Sequence, residues 1–563
     1  MGRGGFLTVS DVSSATPVKI LPLGGCGEIG LNSIVLESQD RAIVIDAGLM
    51  LPSDRTYGSG VFVPSFDYLE RTRPHIEAIV LTHAHEDHIG ALPHLLRRLE
   101  APVYASETAL AFTRRRLADY ESPLEASLRP LVPGQRLTLG PFTVEAIPVT
   151  HSTPDSLALA IDTPGGLVVH TGDFKIDDKP AAGEPFCRHR FGELGARGVE
   201  LLLSDSTNAE RSGRCPSEST LRETFGDLMA GTRGRFIFCA FASHLHRLRQ
   251  VIGLSIATGR RVVALGRRMA ESVRVGLELG HLSAPPGTFL EPEEAIALDS
   301  DRLTFLAGGS QGERLSSLWK LAHGVHPHLR LRHGDAVVLS ARFIPGNERD
   351  INELIDRLMK LGADVFHDPI AQVHVSGHAY RDELAEMIAL TRPRSFVPVH
   401  GEYRHLSRHL ALALEAGIPA AHCCLLQDGE SAVMANGELA RAEHAGSGRM
   451  LLEGGHLADP ELIEERRSLG RAGTVVVALA RSSQTGRIVA GPNLVVRGLP
   501  AANGAGKWVE LLQAELRRGL DGGNEIADRS HAELEDEIVR IVRDRLGRVL
   551  GLRPTVLPCV MEV

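Results

Sequence analysis

Directly after the apolar run Ala78-Ile79-Val80-Leu81 the chain reads Thr82-His83-Ala84-His85-Glu86-Asp87-His88-Ile89-Gly90, which places four potential metal ligands within six residues. The apolar run reads as a buried strand, and His83 and His85, two apart at its end, point the same way. Asp87 and His88 then start the helix that continues through 89–96. Two imidazoles can hold one divalent metal while a carboxylate and a third imidazole serve a second beside it. Histidine-rich tracts also occur as solvated surface or tag remnants. Position after a strand, the interleaved acid and the following glycine favour a metal site here.

Composition narrows what such a site serves. A chain of 563 residues exceeds what one core supports, so about two to four domains are expected. No apolar run reaches bilayer-spanning length, and the small, polar start, residues 1–16, lacks the build of a signal peptide. The seven cysteines (26, 187, 215, 239, 423, 424 and 559) show no CxxC pairing and read as buried thiols in a reducing cytoplasm. A net charge of −9 argues against a simple duplex-coating protein. A local basic channel is still compatible with it, and Arg114-Arg115-Arg116, Arg260-Arg261 and Arg267-Arg268 either line such a channel or lie on solvated helix faces.

Short β-branched runs bounded by turn residues, at 18–23, 33–37, 42–46, 142–147, 157–161 and 167–170, predict strands in the first part of the chain. From about residue 216 helical stretches alternate with strands at 236–240, 261–265 and 303–306, a separate α/β domain running to about 350. Strand and helix signals resume to about 440, including the strand at 395–400. The Gly-, Arg- and Glu-rich stretch 446–470 reads as a linker. The tail is expected to pair strands at 474–480 and 487–496, bury Leu534, Ile538, Ile541, Val542, Leu546, Val549 and Leu550 on one helical face, and close with a strand at 555–561.

Further ligand-type residues stand after predicted strands: Asp46, His151, Asp173 and His400. Singly, an aspartate after a strand is usually a turn or cap residue. As a set they suit two metals, with His83, His85 and His151 on one, Asp87, His88 and His400 on the other, and Asp173 bridging. Paired metals about 3.5–4 Å apart suit in-line attack on phosphorus.

The run His83-Ala84-His85-Glu86-Asp87-His88, with His151 and Asp173, resembles the metallo-β-lactamase-fold signature. The separate α/β domain and the chain beyond it are similar to the β-CASP branch of those nucleases, and specifically to ribonuclease J. The resemblance rests on Gly24-Gly25-Cys26-Gly27-Glu28-Ile29-Gly30, Gly172-Asp173-Phe174-Lys175 and Ser204-Asp205-Ser206-Thr207-Asn208-Ala209-Glu210. It continues through Gly309-Ser310-Gln311-Gly312-Glu313, Ile344-Pro345-Gly346-Asn347-Glu348, His374-Val375-Ser376-Gly377-His378-Ala379, Pro398-Val399-His400-Gly401-Glu402 and Arg553-Pro554-Thr555-Val556-Leu557-Pro558. It implies an α/β chain: a metallo-β-lactamase αββα sandwich at 17–210 returning at 353–445, a β-CASP insertion at 211–352, and a C-terminal α+β domain at 471–563 beyond the linker. It also implies a cytoplasmic ribonuclease of RNA processing and decay, acting 5′ to 3′ and internally. Two Zn2+ per subunit (or Mn2+ or Mg2+), a preference for 5′-monophosphate RNA, and a homodimer or homotetramer would go with that. Asp205, His378 and His400 become the β-CASP motif residues. Departures from the family pattern are Leu31-Asn32-Ser33 for Lys-Asn-Met, Pro64-Ser65 for Pro-Asp, His244 where asparagine is frequent, and an Ala/Gly-rich stretch after Gly498.

In the mechanism these residues suggest, zinc lowers the pKa of bound water to about 7. His378 donates a proton to the leaving 3′ oxygen or contacts the scissile phosphate, while Asp46 and Asp205 orient histidines. The products are a 5′-phosphate and a 3′-hydroxyl. His374, Ser376 and Gly377 are expected to cradle a terminal phosphate, with Ser243, His246 and Arg247 on the RNA backbone, although Ser376 and Gly377 could equally only shape a turn. The alternatives are a DNA-directed β-CASP nuclease, a small-molecule hydrolase of the same fold, and a catalytically dead RNA-binding subunit.

Overall fold

Alternate residues of neighbouring strands face two different cores, and that alternation builds the catalytic layer. In the strand Leu157–Thr163, Leu157, Leu159 and Ile161 face one core while Ala158 and Ala160 face another. Leu201–Asp205 and Ser395–Val399 divide in the same way, with Leu202 and Phe396 on the second face. The protein is described as a computed structural model over residues 16–52, 60–119, 127–298, 301–344, 346–446, 448–453, 456–458, 460–500, 505–520 and 530–563. The polar start, Pro345 and the stretch at 501–504 lie outside the described residues. One unit lies within residues 1–450 and a second within 451–563.

In the first unit, an eight-stranded sheet runs in the order Glu438–Ala442, Ser431–Ala435, Val18–Gly24, Ser33–Ser38, Arg41–Ile45, His75–Val80, Val103–Ala105, Leu128–Pro130. A six-stranded sheet, Ser395–Val399, Leu201–Asp205, Gly166–His170, Leu157–Thr163, Phe142–Pro148, Arg136–Leu139, packs against it through Ile20, Ile34, Ile43, Val80, Val144, Leu203 and Val397. Helices Arg188–Arg197, Arg381–Thr391 and Tyr403–Glu415 cover the outer face of the second sheet through Phe191, Leu194, Met387, Ile388 and Leu412. The parallel pairs matter most for function. Arg41–Ile45 pairs with His75–Val80, and Leu201–Asp205 pairs with both Gly166–His170 and Ser395–Val399. Their C-terminal ends bring Asp46, His83, Asp173, Asp205 and His400 to one edge.

The inserted domain holds a five-stranded parallel sheet in the order Arg261–Leu265, Leu303–Ala307, Phe236–Cys239, Ala336–Leu339, Asp364–Phe366. Both faces are covered, as parallel sheets require: Ile237 and Cys239 face one core, Phe236 and Phe238 the other. The last strand lies beyond the expected end of the insertion at 352, because helix Glu348–Lys360 crosses over to lay Asp364–Phe366 beside Ala336–Leu339.

The second unit has the sheet order Ile488–Arg497, Thr474–Arg481, Thr555–Glu562, with the closing strand parallel to the first. Helices Ala505–Leu520 and His531–Leu550 bury Leu512, Leu516, Leu534, Ile538, Val542 and Leu546 on it, at four-residue spacing. Ser530 and Glu533 form a capping box at the start of the second helix. Val549, expected on that buried face, is 44% exposed because the stripe runs 534, 538, 542, 546 and leaves 549 off it. The expected linker is also structured: it holds strand Arg449–Glu453 and helix Pro460–Ala472, tied by Ser468 Oγ to Thr555 Oγ1 at 3.1 Å. Its Glu/Arg-rich composition hides the helix because few apolar positions mark a face.

Candidate metal centre

Three tautomers organise the site. Asp46, in the left-handed region at φ 63°, accepts Thr82 N–H at 2.7 Å through Oδ1. Its Oδ2 accepts Thr82 Oγ–H at 2.8 Å and His88 Nδ1–H at 2.8 Å. Thr82 Oγ, having given its proton to Asp46, accepts His83 Nδ1–H at 3.0 Å. His151 Nδ1–H donates to the Gly377 carbonyl at 2.8 Å. In each case the proton on Nδ1 is held by its partner, and Nε2 is the atom that faces inward toward a metal position. His85 is turned the other way, with Nδ1 inward and Nε2 3.3 Å from Ser152 Oγ.

Those lone pairs converge. His85 Nδ1 lies 3.0 Å from His83 Nε2 and 3.2 Å from His151 Nε2. Asp173 Oδ2 lies 3.5 Å from His83 Nε2 and 3.2 Å from both His88 Nε2 and His400 Nε2. Asp87 Oδ2 is 3.8 Å from His88 Nε2 and 3.7 Å from His400 Nε2. Among the described residues two ligand groups of four result, His83, His85, His151, Asp173 and Asp87, His88, Asp173, His400, beside a third of three, Asp173, Asp205 and His378, each with donor atoms within 4.8 Å of one another. All three share Asp173.

The donor set fits divalent ions. Acceptor nitrogens about 3 Å apart repel unless a cation or proton lies between them. Burial, and then neighbouring imidazoles, hold His83 and His151 well below the ordinary histidine range, and burial brings His85 down to about 4. These three are neutral, as metal ligands must be. Burial also opposes charge on His88, but Asp173, Asp46 and Asp87 outweigh it and raise His88 well above its ordinary value. His400 is raised against burial by Asp173. Without an ion, protons on His88 and His400 balance the carboxylate charge; a divalent ion brings positive charge in their place. The cluster has the donor chemistry of a divalent-metal site.

His378 stands at the rim, with its side chain 20% exposed while His83, His88, His151 and His400 are buried. Its Nδ1–H donates to Asp205 Oδ2 at 2.8 Å, and Asp205 Oδ1 accepts from Thr207 N–H and Oγ–H. Burial works against the imidazolium, but Asp205 and Asp173 prevail and push His378 up to about 9. Asp46 thus orients His88, while Asp205 orients His378, and Asp205, His378 and Asp173 form the group of three.

The expected phosphate loop is brought to the same rim. Ser376 Oγ accepts from Asn208 Nδ2 at 2.8 Å and from His378 N–H at 3.2 Å, leaving its own proton to give. Gly377 lies so close to His151 that a Cβ there would fall 2.8 Å from the imidazole. His374 Nδ1 accepts from Arg247 at 3.0 Å, which places the proton on Nε2. Ser243 and His246 flank the start of helix Leu245–Ala257, where burial lowers His246 to about 4.

Arg247 is a correction. It is fully buried, and its donors are taken by Glu218 at 2.7 and 2.8 Å, the Ser340 and Val375 carbonyls, and His374. No donor is left for RNA. Among the arginine clusters, Arg260 is likewise buried on the carbonyls of Thr232, Gly234, Asp301 and Leu303, and Arg267 pairs with Asp119. Cys26, Cys215, Cys239 and Cys424 are buried, but Cys187 and Cys423 are half-buried and Cys559 is exposed, so the thiols are not uniformly buried as expected.

Sequence reasoning missed four site residues. Asn32 donates Nδ2–H to the Asp87 carbonyl at 3.1 Å beside His88 Nε2 and His400 Nε2. Thr82 relays Asp46 to His83. Asn208 joins Ser376 to Arg342. His244 places its ring 5.8 Å from that of His85. Asn208 stands inside a quoted motif and Asn32 in the departure Leu31-Asn32-Ser33, the one signal available for them.

The sandwich, the paired ligand groups and the inserted parallel sheet define a metallo-β-lactamase-superfamily hydrolase with a β-CASP insertion. Residues 27–204 match the metallo-β-lactamase superfamily and 233–358 the ribonuclease J β-CASP domain. Residues 348–423 match the RNA specificity domain of Zn-dependent metallo-hydrolases and 461–563 the ribonuclease J C-terminal domain. Ribonuclease J 1 of Streptococcus pyogenes serotype M3 is 34% identical over 546 residues, 97% of each chain. Ribonuclease J of Mycobacterium tuberculosis is 36% identical over 552 residues, 97% of each. That of Synechocystis is 36% identical over 543 residues, 94% of this chain and 85% of the other. A crystal structure of a protein of unknown function from Enterococcus faecalis V583 shares the fold, with a TM-score of 0.52 and 20% identity over 75% of this chain and all of that one.

The chain belongs to the ribonuclease J family and is a metal-dependent ribonuclease. Among the described residues no helix is long and apolar enough to cross a membrane.

Proposed function

We propose that the protein is a two-zinc ribonuclease that degrades RNA from a 5′-monophosphate end and also cuts internally. One ion is assigned to His83, His85 and His151, the other to Asp87, His88 and His400, with Asp173 between them. The observation that carries this reading is the meeting of both ligand groups at one buried carboxylate. Manganese or magnesium are the replacements to test, since His/Asp sites accept several ions. Divalent ions in this position supply an acidified water at neutral pH and a counter-charge for the phosphate.

The chain's own groups do the rest. His378, held protonated by Asp205, donates its Nε2 proton to the departing 3′ oxygen, leaving a 3′-hydroxyl and a 5′-phosphate. Asp46 holds His88 in the tautomer that presents Nε2. His374 Nε2–H, the Ser376 hydroxyl and the backbone at Gly377 receive the terminal phosphate, and Ser243 and His246 the following backbone. We assign residues 17–210 and the return after 366 to the catalytic part, the segment between them to the β-CASP insertion, and residues from 460 to the C-terminal part. A homodimer or homotetramer acting in cytoplasmic RNA decay completes the reading.

The test gives purified protein 5′-labelled RNA carrying one or three phosphates. Labelled mononucleotide from the monophosphate form is expected, with a shorter internal fragment marking endonuclease action. Inert RNA beside a cleaved small thioester would sink the reading. Ser376→Ala should reduce discrimination between the two RNAs; unchanged discrimination removes Ser376 from the phosphate pocket.

A further inference from the structure

His244 is 6% exposed, its Nδ1 is buried without a hydrogen-bond partner, and its side chain does not cap the helix it precedes. A buried polar atom left unpaired in a folded protein needs an explanation. Packing alone does not supply one. The ring lies 5.8 Å from His85, tilted by 34°, and 5.6 Å from Phe241 on the inserted domain. Burial and then Arg247, His85, His374 and His151 disfavour its charged form, so basic and imidazole groups stand around it, and among the described residues none takes a hydrogen bond at Nδ1.

Its backbone adds to the same preference. His244 begins helix Leu245–Ala257, and its carbonyl takes the N–H groups of Arg247 and Leu248. The positive end of a thirteen-residue helix therefore sits directly behind the imidazole. The group such surroundings complement is an oxyanion.

We propose that His244 is a substrate-contacting residue that the insertion contributes to the cleft, donating an imidazole N–H to the 5′-terminal phosphate of the RNA. It stands between the His85/His151 half of the metal cluster and His374, whose tautomer already presents a donor. This inference rests on the assignment of the His374-to-His378 loop to the terminal phosphate.

Asparagine and leucine test it, because they match in volume and differ in the N–H. The measurement is the ratio of kcat/KM for 5′-monophosphate over 5′-hydroxyl RNA, with bound metal per chain determined alongside. His244→Leu should lower that ratio about ten- to hundredfold, the worth of a hydrogen bond to a charged group. His244→Asn should keep most of the ratio, and both variants should retain full metal. A ratio unchanged in His244→Leu, or equal losses in the two variants accompanied by lost metal, overturns the proposal in favour of mere support for His85. Wild-type protein that does not distinguish the two RNAs overturns the phosphate-loop reading and this inference with it; wild type that does, beside a His244→Leu variant that does so equally, overturns this inference alone.

Discussion

Asp46→Asn is the sharpest perturbation of the metal cluster, because it changes almost no volume and removes one acceptor. Asp46 receives three donors: Thr82 N–H at Oδ1, and Thr82 Oγ–H and His88 Nδ1–H at Oδ2. An amide has one oxygen for a position that requires two. With the oxygen toward Thr82 N–H, the NH2 group opposes His88 Nδ1–H. The relieved arrangement moves the His88 proton to Nε2, the atom that faces Asp173 and Asp87. A protonated Nε2 cannot bind a metal, so affinity should fall about 10- to 100-fold, the usual loss on removing such an outer partner. That corresponds to about 1.4–2.7 kcal/mol. The Thr82 relay adds a smaller disturbance at His83. Competition of metal-stripped protein against a chromophoric chelator reads the affinity, and single-turnover RNA cleavage at saturating metal reads the chemistry. The expected pattern is weakened binding with cleavage largely recovered at high metal. Unchanged affinity in a folded Asp46→Asn variant would refute the tautomer argument.

Three other expected outcomes rest on particular contacts. Arg247→Met should destabilise the protein by about 3–5 kcal/mol in denaturant unfolding, because it leaves Glu218 buried without its partner, while adding Glu218→Leu should restore much of the loss. The Asp205–His378 pair stabilises the metal-free fold fully below the unfolded histidine value of about 6.5, and that contribution is lost as pH rises through about 9. Melting of metal-free protein from neutral pH to pH 10 should show this decline in wild type and a flatter profile in His378→Gln; parallel profiles would remove His378 as its source. In the C-terminal unit, Ile538→Ala should cost about 2–5 kcal/mol whereas Val549→Ala should change stability by under about 0.5 kcal/mol, and similar losses at both would contradict the stripe running 534, 538, 542, 546.

What was legible in the chain was what periodicity and local spacing carry. Period-two strands ending in Asp, His or Gly located Asp46, His151, Asp173 and His400, and one six-residue run held four other ligands. Contacts made by remote segments were not legible. Arg247 looked available to a phosphate until helix packing set it against Glu218, 29 residues earlier, and the Val375 carbonyl, 128 residues later. Two strands of the inserted sheet, Ala336–Leu339 and Asp364–Phe366, were missed, and the second is only three residues long and gains its identity from a parallel neighbour.

The histidines themselves show the same division. Their spacing predicts a metal cluster but not which ring nitrogen each offers. That choice is made by Thr82 for His83, Asp46 for His88 and Gly377 for His151, and the last two come from 42 and 226 residues away. Gly377 lies in the same loop as Ser376 and His378, the proposed phosphate donor and leaving-group acid. A shift of that loop would alter the orientation of His151 and the placement of His378 together. On that proposal the segment after the insertion serves the metal cluster and the substrate pocket at once, so a movement of its end of the loop by the inserted domain would change the chemistry at the edge of the sandwich.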